Sequence, residues 1–220
     1  MLARWVFEAE DDKHLVGQLA RALRVGELPS EPHVLGGNDT EKIDIQLRQE
    51  WRRIVFVLDA DHPPNGGVKS TWRRLQSAFS LHNHALPDEL PPSGLVHSLH
   101  DGRSVAAWIF PDNVNDGAME EFVTRYLLPD GDSLLAHARD VVAKLQANRD
   151  GQPRREPAAR FSERSSEKAV VRSWLAWQKR PGLPPGLAIR ESALRVDRDR
   201  IGVFAAWLGR ALADEVTPTG

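Results

Sequence analysis

The sequence predicts an α/β protein: a mostly parallel sheet flanked by helices, an antiparallel hairpin near residues 95–110 and a helical C-terminal part. In the first half of the chain, short apolar runs alternate with segments whose apolar residues recur at helical spacing, a pattern typical of parallel sheets. After Pro87, two strand-like runs flank the segment His100-Asp101-Gly102-Arg103. Asp-Gly between such runs is a strong hairpin signal.

The first unit of the chain combines a strand and a helix. Apolar residues Trp5–Phe7 form the strand, and Glu8 closes it. Asp11 and Asp12 then stand at the start of a helical pattern, where acids complement the helix dipole. The predicted apolar face of this helix consists of Leu15, Val16, Leu19 and Leu23.

The second unit repeats this order with shorter elements. Val34–Leu35 form a brief strand that ends in two glycines, and glycine permits the tight turn required there. Asp39 or Thr40 caps the helix that follows. The order of elements is therefore strand, helix, strand, helix, as expected for a parallel sheet.

The third strand carries the most informative feature of the chain. Ile54–Leu58 are five apolar residues, too short for a helix and rich in β-branched side chains, and they lead directly to Asp59 and Asp61. In open α/β sheets, ligands bind at the carboxyl ends of the strands, so this position favours a metal site over a surface salt bridge. A later strand, Trp108–Phe110, leads to Asp112 in the same way.

The rest of the chain is mainly helical by pattern. The domain prediction is a metal-binding α/β core over residues 1–130 and a helical extension over residues 131–220 that packs on it. A segment near 148–166, rich in Arg, Pro, Glu and Ser, is predicted to be a mobile loop. The predicted helices are Glu120–Leu128, Ser133–Ala147, Glu167–Trp177 and Arg200–Leu212.

Composition excludes several classes of site. The chain has 220 residues, 41% hydrophobic and 27% charged, as in ordinary globular proteins. It has no cysteine, which excludes disulfides, thiolate nucleophiles, zinc ribbons and iron–sulfur clusters. Any metal must be held by oxygen or imidazole ligands. No apolar run approaches the roughly 20 residues that span a bilayer, so the prediction is a cytoplasmic protein without membrane contact.

The net charge of −2 is not that of a typical nucleic-acid-binding domain. Local basic groups are nevertheless present, for example Arg73 and Arg74, and the arginines between 149 and 164. Two interpretations remain open for each group: contact with phosphates, or a solvated surface of mixed charge. The overall balance predicts weak intrinsic affinity for nucleic acid, which favours assistance from a partner or a second subunit.

Order and placement of these motifs resemble the TOPRIM fold of OLD-family nucleases, topoisomerases and bacterial primases, and are most similar to small stand-alone OLD-like TOPRIM proteins. The resemblance covers nearly the whole chain, including Lys168 and the segment Trp174–Gln178. In that group a first strand ends in Glu-Gly-x-x-acid, a third in Asp-x-Asp, and Pro-Asp-Asn precedes Gly-x-x-Glu-acid. The matching segments here are Glu8-Ala9-Glu10-Asp11-Asp12, Asp59-Ala60-Asp61, Pro111-Asp112-Asn113 and Gly117-Ala118-Met119-Glu120-Glu121.

Carboxylates suit Mg²⁺ or Mn²⁺, because such ions take oxygen ligands and need only one or two protein carboxylates. Glu8, Asp59 and Asp61 are predicted to hold this ion. The resemblance implies that Lys168 joins these three as a catalytic residue and offsets charge on a phosphate. It further implies a second metal, whose matching acids are Asp12, Asp112 and Glu120.

Simpler structural roles remain open for several of these residues. Asp12 is as well explained by the helix start as by metal binding, and Glu120 stands in the first turn of a predicted helix. Lys168 also fits a surface lysine. Ala9 replaces the usual glycine of the family; it is costly if the turn needs a positive φ and harmless if it does not.

The resemblance implies a Mg²⁺-dependent phosphodiester hydrolase, a DNA or RNA nuclease, as the effector of an ATPase-linked phage-defence system. A separate ABC-type ATPase would be the partner, since the chain lacks a Walker A motif, and a homodimer is a further expectation. The alternative is a weak or inactive TOPRIM subunit that binds the ATPase or nucleic acid. A topoisomerase is disfavoured because the only tyrosine, Tyr126, sits in a helical apolar segment, and a primase because it needs a zinc module.

Overall fold

The computed structural model describes residues 3–64, 66–148 and 157–213. It contains a five-stranded sheet in the order β2-β1-β3-β5-β4. Neighbouring strands run parallel except for β4, which is antiparallel to β5. The predicted fold class is therefore confirmed, including the hairpin near residues 95–110. The strands are β1 Ala3–Phe7, β2 His33–Val34, β3 Arg53–Asp59, β4 Leu95–Ser98 and β5 Ser104–Phe110.

Helices flank the sheet and make up the described C-terminal part. One of them, α7, begins at a proline, which suits the first turn of a helix because its missing N–H has no partner there; its short sequence has no helical periodicity and was not predicted. The helices are α1 Glu10–Leu23, α2 Thr40–Leu47, α3 Val68–Ser80, α4 Met119–Phe122 with a π-helical continuation Val123–Leu127, α5 Ser133–Ala147, a 3₁₀ turn Glu163–Ser165, α6 Ser166–Ala176, α7 Pro185–Arg190 and α8 Gly202–Leu212. Among the described residues, no helix has the length and apolar character needed to cross a membrane.

The central strand β3 is buried on both faces, which explains why its sequence is continuously apolar rather than alternating. Val55 and Val57 face a core built with α1, α6 and α8. Ile54, Phe56 and Leu58 face a second core built with α2 and α3. Each face of the strand thus anchors one layer of helices, and the end of the strand is fixed in position.

Trp207 of α8 ties the C-terminal helices to the sheet. Its Nε1 donates a hydrogen bond to the Leu95 carbonyl at 3.0 Å, and its ring lies 5.4 Å from Trp108 and 6.4 Å from Trp5 between ring centroids. The described residues after 130 therefore share a hydrophobic core with the sheet. A division of the chain at residue 130 stays a prediction.

Much of the segment predicted to be mobile lies outside the described residues, namely 149–156. The described part that follows is attached to α5. The Ala159 N–H donates to the Leu145 carbonyl at 2.8 Å, and Phe161 packs against the core of the sheet. This attachment sets the position at which α6 begins.

Gly94, just before β4, lies under the Trp207 ring. A Cβ on Gly94 would stand 2.4 Å from Trp207 Cδ1, and its φ is +74°. We expect Gly94→Ala to lower the free energy of unfolding by about 1–3 kcal/mol more than Gly102→Ala, because overpacking adds to backbone strain. Gly102 is the matched control, since its φ is +83° and nothing lies within 4 Å of an added Cβ. Equal losses in urea denaturation would contradict the close packing of α8 on the sheet.

Candidate metal centre

The carboxyl ends of β1 and β3 are joined by their acidic residues. Because the strands run parallel in the register Phe7 to Val57, Glu8 and Asp59 follow at the same edge of the sheet. The Asp59 backbone N–H donates to Glu8 Oε2 at 3.0 Å. Both residues are half-buried. The pairing of the first and third strands therefore brings two carboxylates together at this edge.

Asn38 links the same two strand ends and was missed as a site residue by sequence reasoning. Its Nδ2 donates to Glu8 Oε2 at 2.9 Å and to the Asp59 carbonyl at 3.1 Å. Its Oδ1 accepts from Arg74 Nη1 at 2.5 Å. The available signal was an amide directly after two glycines at a strand end, which the pattern explains equally well as a turn.

Asp12 has the first of the two roles that the sequence left open, the helix start, and its part in a metal site stays a prediction. Its Oδ2 accepts the Ala9 backbone N–H at 2.9 Å, which caps the start of α1. At the same time it is only 2% exposed, and its charge interacts with those of Glu8 and Glu120. Ala9 itself has φ −133° and ψ 163°, an extended conformation, so the turn has no need of glycine.

Asp61 lies in a loop that is folded tightly onto the segment before α4. Its N–H donates to the Gly117 carbonyl at 2.7 Å, and the Gly117 N–H donates back to the Asp61 carbonyl at 3.1 Å. Asp61 has a positive φ of 60°. A Cβ on Gly66 would lie 2.4 Å from the Asp61 Cβ, so the return of the loop requires glycine. The exposed Asp61 side chain is thereby held beside Asp59.

The start of α4 supplies another acid to the same place. Met119 N–H donates to Asp59 Oδ1 at 3.0 Å. Glu121 is the residue that caps this helix, because its Oε2 accepts the Ala118 N–H at 2.8 Å; its Oε1 lies 2.9 Å from His62 Nε2. Glu120 is left to face the site, and it is 5% exposed.

The structure places Asp112 away from these acids. Asp112 Oδ1 accepts the Asn115 N–H at 2.8 Å, and its Oδ2 accepts from the Arg125 guanidinium and from the Tyr126 hydroxyl. It lines a different pocket, beside Tyr126 and α8. Burial alone would raise the pKa of Asp112, but hydrogen bonds from Asn115 and its neighbours outweigh it and lower the pKa. Its proposed part in a second metal site stays a prediction.

A pocket of about 330 Å³ opens over the acids. Lys168 of α6 stands at its rim, with Nζ 3.6 Å from Glu120 Oε1 and a side chain that is 61% exposed. The residues of the pocket that bear charge or an imidazole ring include Asp59, Asp61, His62, Glu120, Arg164 and Lys168. Three predicted acids and the predicted lysine therefore border one cavity.

Burial, together with mutual repulsion, disfavours the charged form of the acids in this site. Burial raises the pKa of Glu8 to about 7 and that of Asp12 to about 8. Burial also raises the pKa of Asp59 well above its usual range, and the charges of Asp12, Glu8, Glu120 and Asp61 add to this effect. Glu120 shifts in the same direction, mainly through burial, although Lys168 opposes the shift. A positively charged ligand would relieve this repulsion.

The donor set fits a hard divalent cation. Within residues 3–64, 66–148 and 157–213, no three acidic or histidine side chains are arranged to ligate one ion together. Mg²⁺, however, is typically held by one or two carboxylates, with water and substrate phosphate completing its shell. Glu8, Asp12 and Asp59 each use one oxygen for a backbone N–H. The second oxygens of all three accept no hydrogen bond from a described residue, and those of Glu8 and Asp59 would be the two carboxylate ligands of the ion.

We expect the metal-free protein to lose stability as the pH rises. The folded-state pKa values of Glu8 and Asp12, about 7 and 8, exceed those of an unfolded chain, so the folded state binds protons more tightly and stability falls between about pH 5 and pH 8. Asp59→Asn should make this fall smaller. The check is urea denaturation in EDTA across that range.

Asp140→Asn serves as a control for this measurement, since Asp140 is exposed and Lys144 is its one ion-pair partner among the described residues; this variant should leave the slope unchanged. Burial lowers the pKa of His84, so its effect has the opposite sign below about pH 6.5, and it is common to all three proteins. If Asp59→Asn and Asp140→Asn have the same slope as the wild type, the buried acids are not under repulsion.

Comparison with known proteins returns one family. The profile of the family described as "Protein of unknown function (DUF3226)" matches residues 5–213. Neither the curated proteins nor the solved structures contain a match to the chain. The matched residues include the end of β1, the Asp59 and Asp61 loop, α4 and the helices that pack on the sheet. The chain therefore belongs to the DUF3226 family.

Proposed function

We propose that this protein hydrolyses phosphodiester bonds of DNA or RNA with the help of Mg²⁺ or Mn²⁺. The observation that carries the proposal is a cluster of acids from two strand ends and two helix starts whose charges act on Asp59, three of which line one cavity with cations at its rim. Buried charges are normally paired or bound to a metal. Lys168 pairs with one of these acids. The other carboxylates are groups of the kind that bind a metal cation.

The acidic residues would have different roles in the reaction. Glu8 and Asp59, linked through the Asp59 N–H, would hold the ion, and Asp12, Asp61 and Glu120 would contribute charge or a second site. A bound Mg²⁺ or Mn²⁺ supplies an activated water and stabilises charge on the leaving oxygen. The protein's own contribution is to hold the carboxylates in place through backbone N–H groups, so that little rearrangement is needed.

Lys168 fits the role of a phosphate contact. Its ammonium lies at the rim and is largely exposed, so it can leave Glu120 and pair with a phosphate oxygen. A covalent tyrosine intermediate is disfavoured, because the Tyr126 hydroxyl donates to Asp112 at 3.2 Å and lines the other pocket. This combination supports water, rather than a side chain, as the nucleophile.

A second candidate function is a weak or inactive TOPRIM-like subunit that binds nucleic acid or an ABC-type ATPase. The observation that favours it is that no three of the described acids are set to share one ion. In that case the acids would serve binding or folding, and cleavage would be absent or dependent on the partner. The role of phage-defence effector beside an ATPase belongs to either candidate and stays a prediction, as does a homodimer.

We expect Mg²⁺- or Mn²⁺-dependent cleavage of at least one of plasmid DNA, single-stranded DNA and tRNA, and its loss in the Asp59→Ala, Asp61→Ala double variant. Loss of Asp59, a proposed ligand, together with the neighbouring acid Asp61 should lower the rate by more than about 10- to 100-fold, which is the cost of losing only a ligand's hydrogen-bond partner. Metal binding is measured in parallel by calorimetry. Asp140→Ala, an exposed acid of α5, is the matched control and should cleave at the wild-type rate.

Each result separates the two candidates. Cleavage that requires metal and disappears only in the double variant supports the hydrolase. Metal binding without cleavage of any substrate supports the binding subunit. Absence of both metal binding and cleavage in the wild type would overturn the proposed function, and cleavage that survives in the double variant would place the chemistry elsewhere.

Asn38 should tune the affinity for the metal without being a ligand itself. Asn38→Ala removes the amide that orients Glu8 and the end of β3, and we expect the metal to bind about 10- to 100-fold more weakly. Asn115→Ala is the control, since the Asn115 amide bonds only to Asp112. Calorimetric titration of both variants with Mn²⁺ provides the measurement. Equal affinities for the metal would show that Asn38 has no part in the site.

A further inference from the structure

We infer that one face of α6 and of the 3₁₀ turn that leads into it binds a strand of nucleic acid through its phosphates. We call this face the α6 ridge and define it as Arg164 of the 3₁₀ turn and Lys168 and Arg172 of α6, spaced four residues apart. The inference deepens the proposed function, because it names the surface that would lead a strand into the pocket.

Two of the three ridge residues line the pocket of the acidic site, and the third lies beyond it. Arg164 and Lys168 line the pocket that contains Asp59 and Glu120. Arg172 lies one turn further on and forms an ion pair with Asp11 in the first turn of α1. The three cations therefore extend from the mouth of the pocket toward the start of α1.

Two of the three ridge cations neutralise acids near the site. Lys168 is paired with Glu120 and Arg172 with Asp11, but Arg164 forms no ion pair with a described residue. It is exposed and still lines the pocket. An arginine that borders an acidic cavity without an acidic partner is placed to receive an anion from solution.

Acids on α6 do not cancel this charge. Glu167 is held by Arg139 of α5 at 2.6 Å and by the Thr124 hydroxyl at 2.7 Å. Glu163 lines a separate groove between α5 and α6. Glu167 also lines the pocket, but its carboxylate is paired with Arg139, so Arg164 and Lys168 keep their positive charge at the pocket edge.

Spacing decides between an isolated anion and a strand. Four residues of helix advance about 6 Å along the axis, which is close to the separation of neighbouring phosphates along one nucleic-acid strand. A single phosphate would need convergent donors, whereas these cations are spread in a line. A line of cations on one helix matches the backbone of one strand.

The test measures binding without cleavage. The background variant Asp59→Asn, Asp61→Asn removes two negative charges and the proposed catalysis, and a labelled single-stranded DNA 12-mer is titrated in EDTA at several salt concentrations. Within this background, Arg164→Gln and Lys168→Gln are each expected to weaken binding roughly three- to tenfold and to reduce the slope of log affinity against log salt by about 0.7.

Lys179→Gln is the matched control, because Lys179 is exposed beyond the end of α6 and forms no ion pair with a described residue. It removes the same charge and should leave the affinity and the slope unchanged. Equal effects of Arg164→Gln and Lys179→Gln would overturn the ridge, as would no detectable binding of the 12-mer to the background variant.

The outcomes for the ridge and for the proposed function can be told apart. If Arg164→Gln has no specific effect on binding while the wild type cleaves with metal, the ridge is wrong and the hydrolase stands. If the wild type never cleaves but the background variant binds the strand through Arg164 and Lys168, the ridge stands and the hydrolase is wrong.

Discussion

Parallel pairing of β1, β3 and β5 is the constraint on which the rest of the site depends. Because parallel strands end at the same edge of a sheet, pairing brings the residues after Phe7, Leu58 and Phe110 to one side of the molecule. Helices cover both faces of the sheet beneath this edge, and a pocket opens over the acids. The same packing that stabilises the sheet thus concentrates acids where their charge is poorly solvated.

Backbone donors make this concentration of charge tolerable. Glu8 accepts the Asp59 N–H, Asp12 accepts the Ala9 N–H, and Asp59 accepts the Met119 N–H. Hydrogen bonds of this kind favour the charged form of a carboxylate, but here they do not outweigh burial, and the pKa values stay raised. Hydrogen bonds therefore fix the positions of the carboxylates, while the charged forms of these groups stay unfavourable. A bound cation would stabilise the charged forms.

Sequence patterns predicted the secondary-structure elements and their ends more accurately than they predicted which residues lie close together in the folded protein. The acids that follow β1 and β3 were identified because an apolar run followed directly by a charged residue indicates the end of a strand. Asp112 shares that signal after β5, yet it turns to Asn115 and Arg125, because the loop beyond a strand can fold away from the sheet edge. Asn38 and Arg164 carry only ambiguous local signals, a turn amide and a basic segment, and the contacts of Asn38 join residues more than twenty positions apart.

By itself, the sequence determined the alternation of strands and helices, the hairpin, the absence of thiol chemistry and the location of acids at strand ends, because these follow from local periodicity and composition. Tertiary structure decided which acids meet. It separated Glu120, which enters the site, from Glu121, which caps α4, and it gave Ala9 an extended conformation in which glycine has no advantage. It also set α6 beside the pocket. Only long-range packing decides such outcomes. Adjacent acids of one turn look alike in the sequence and differ only in the direction in which the fold points their side chains.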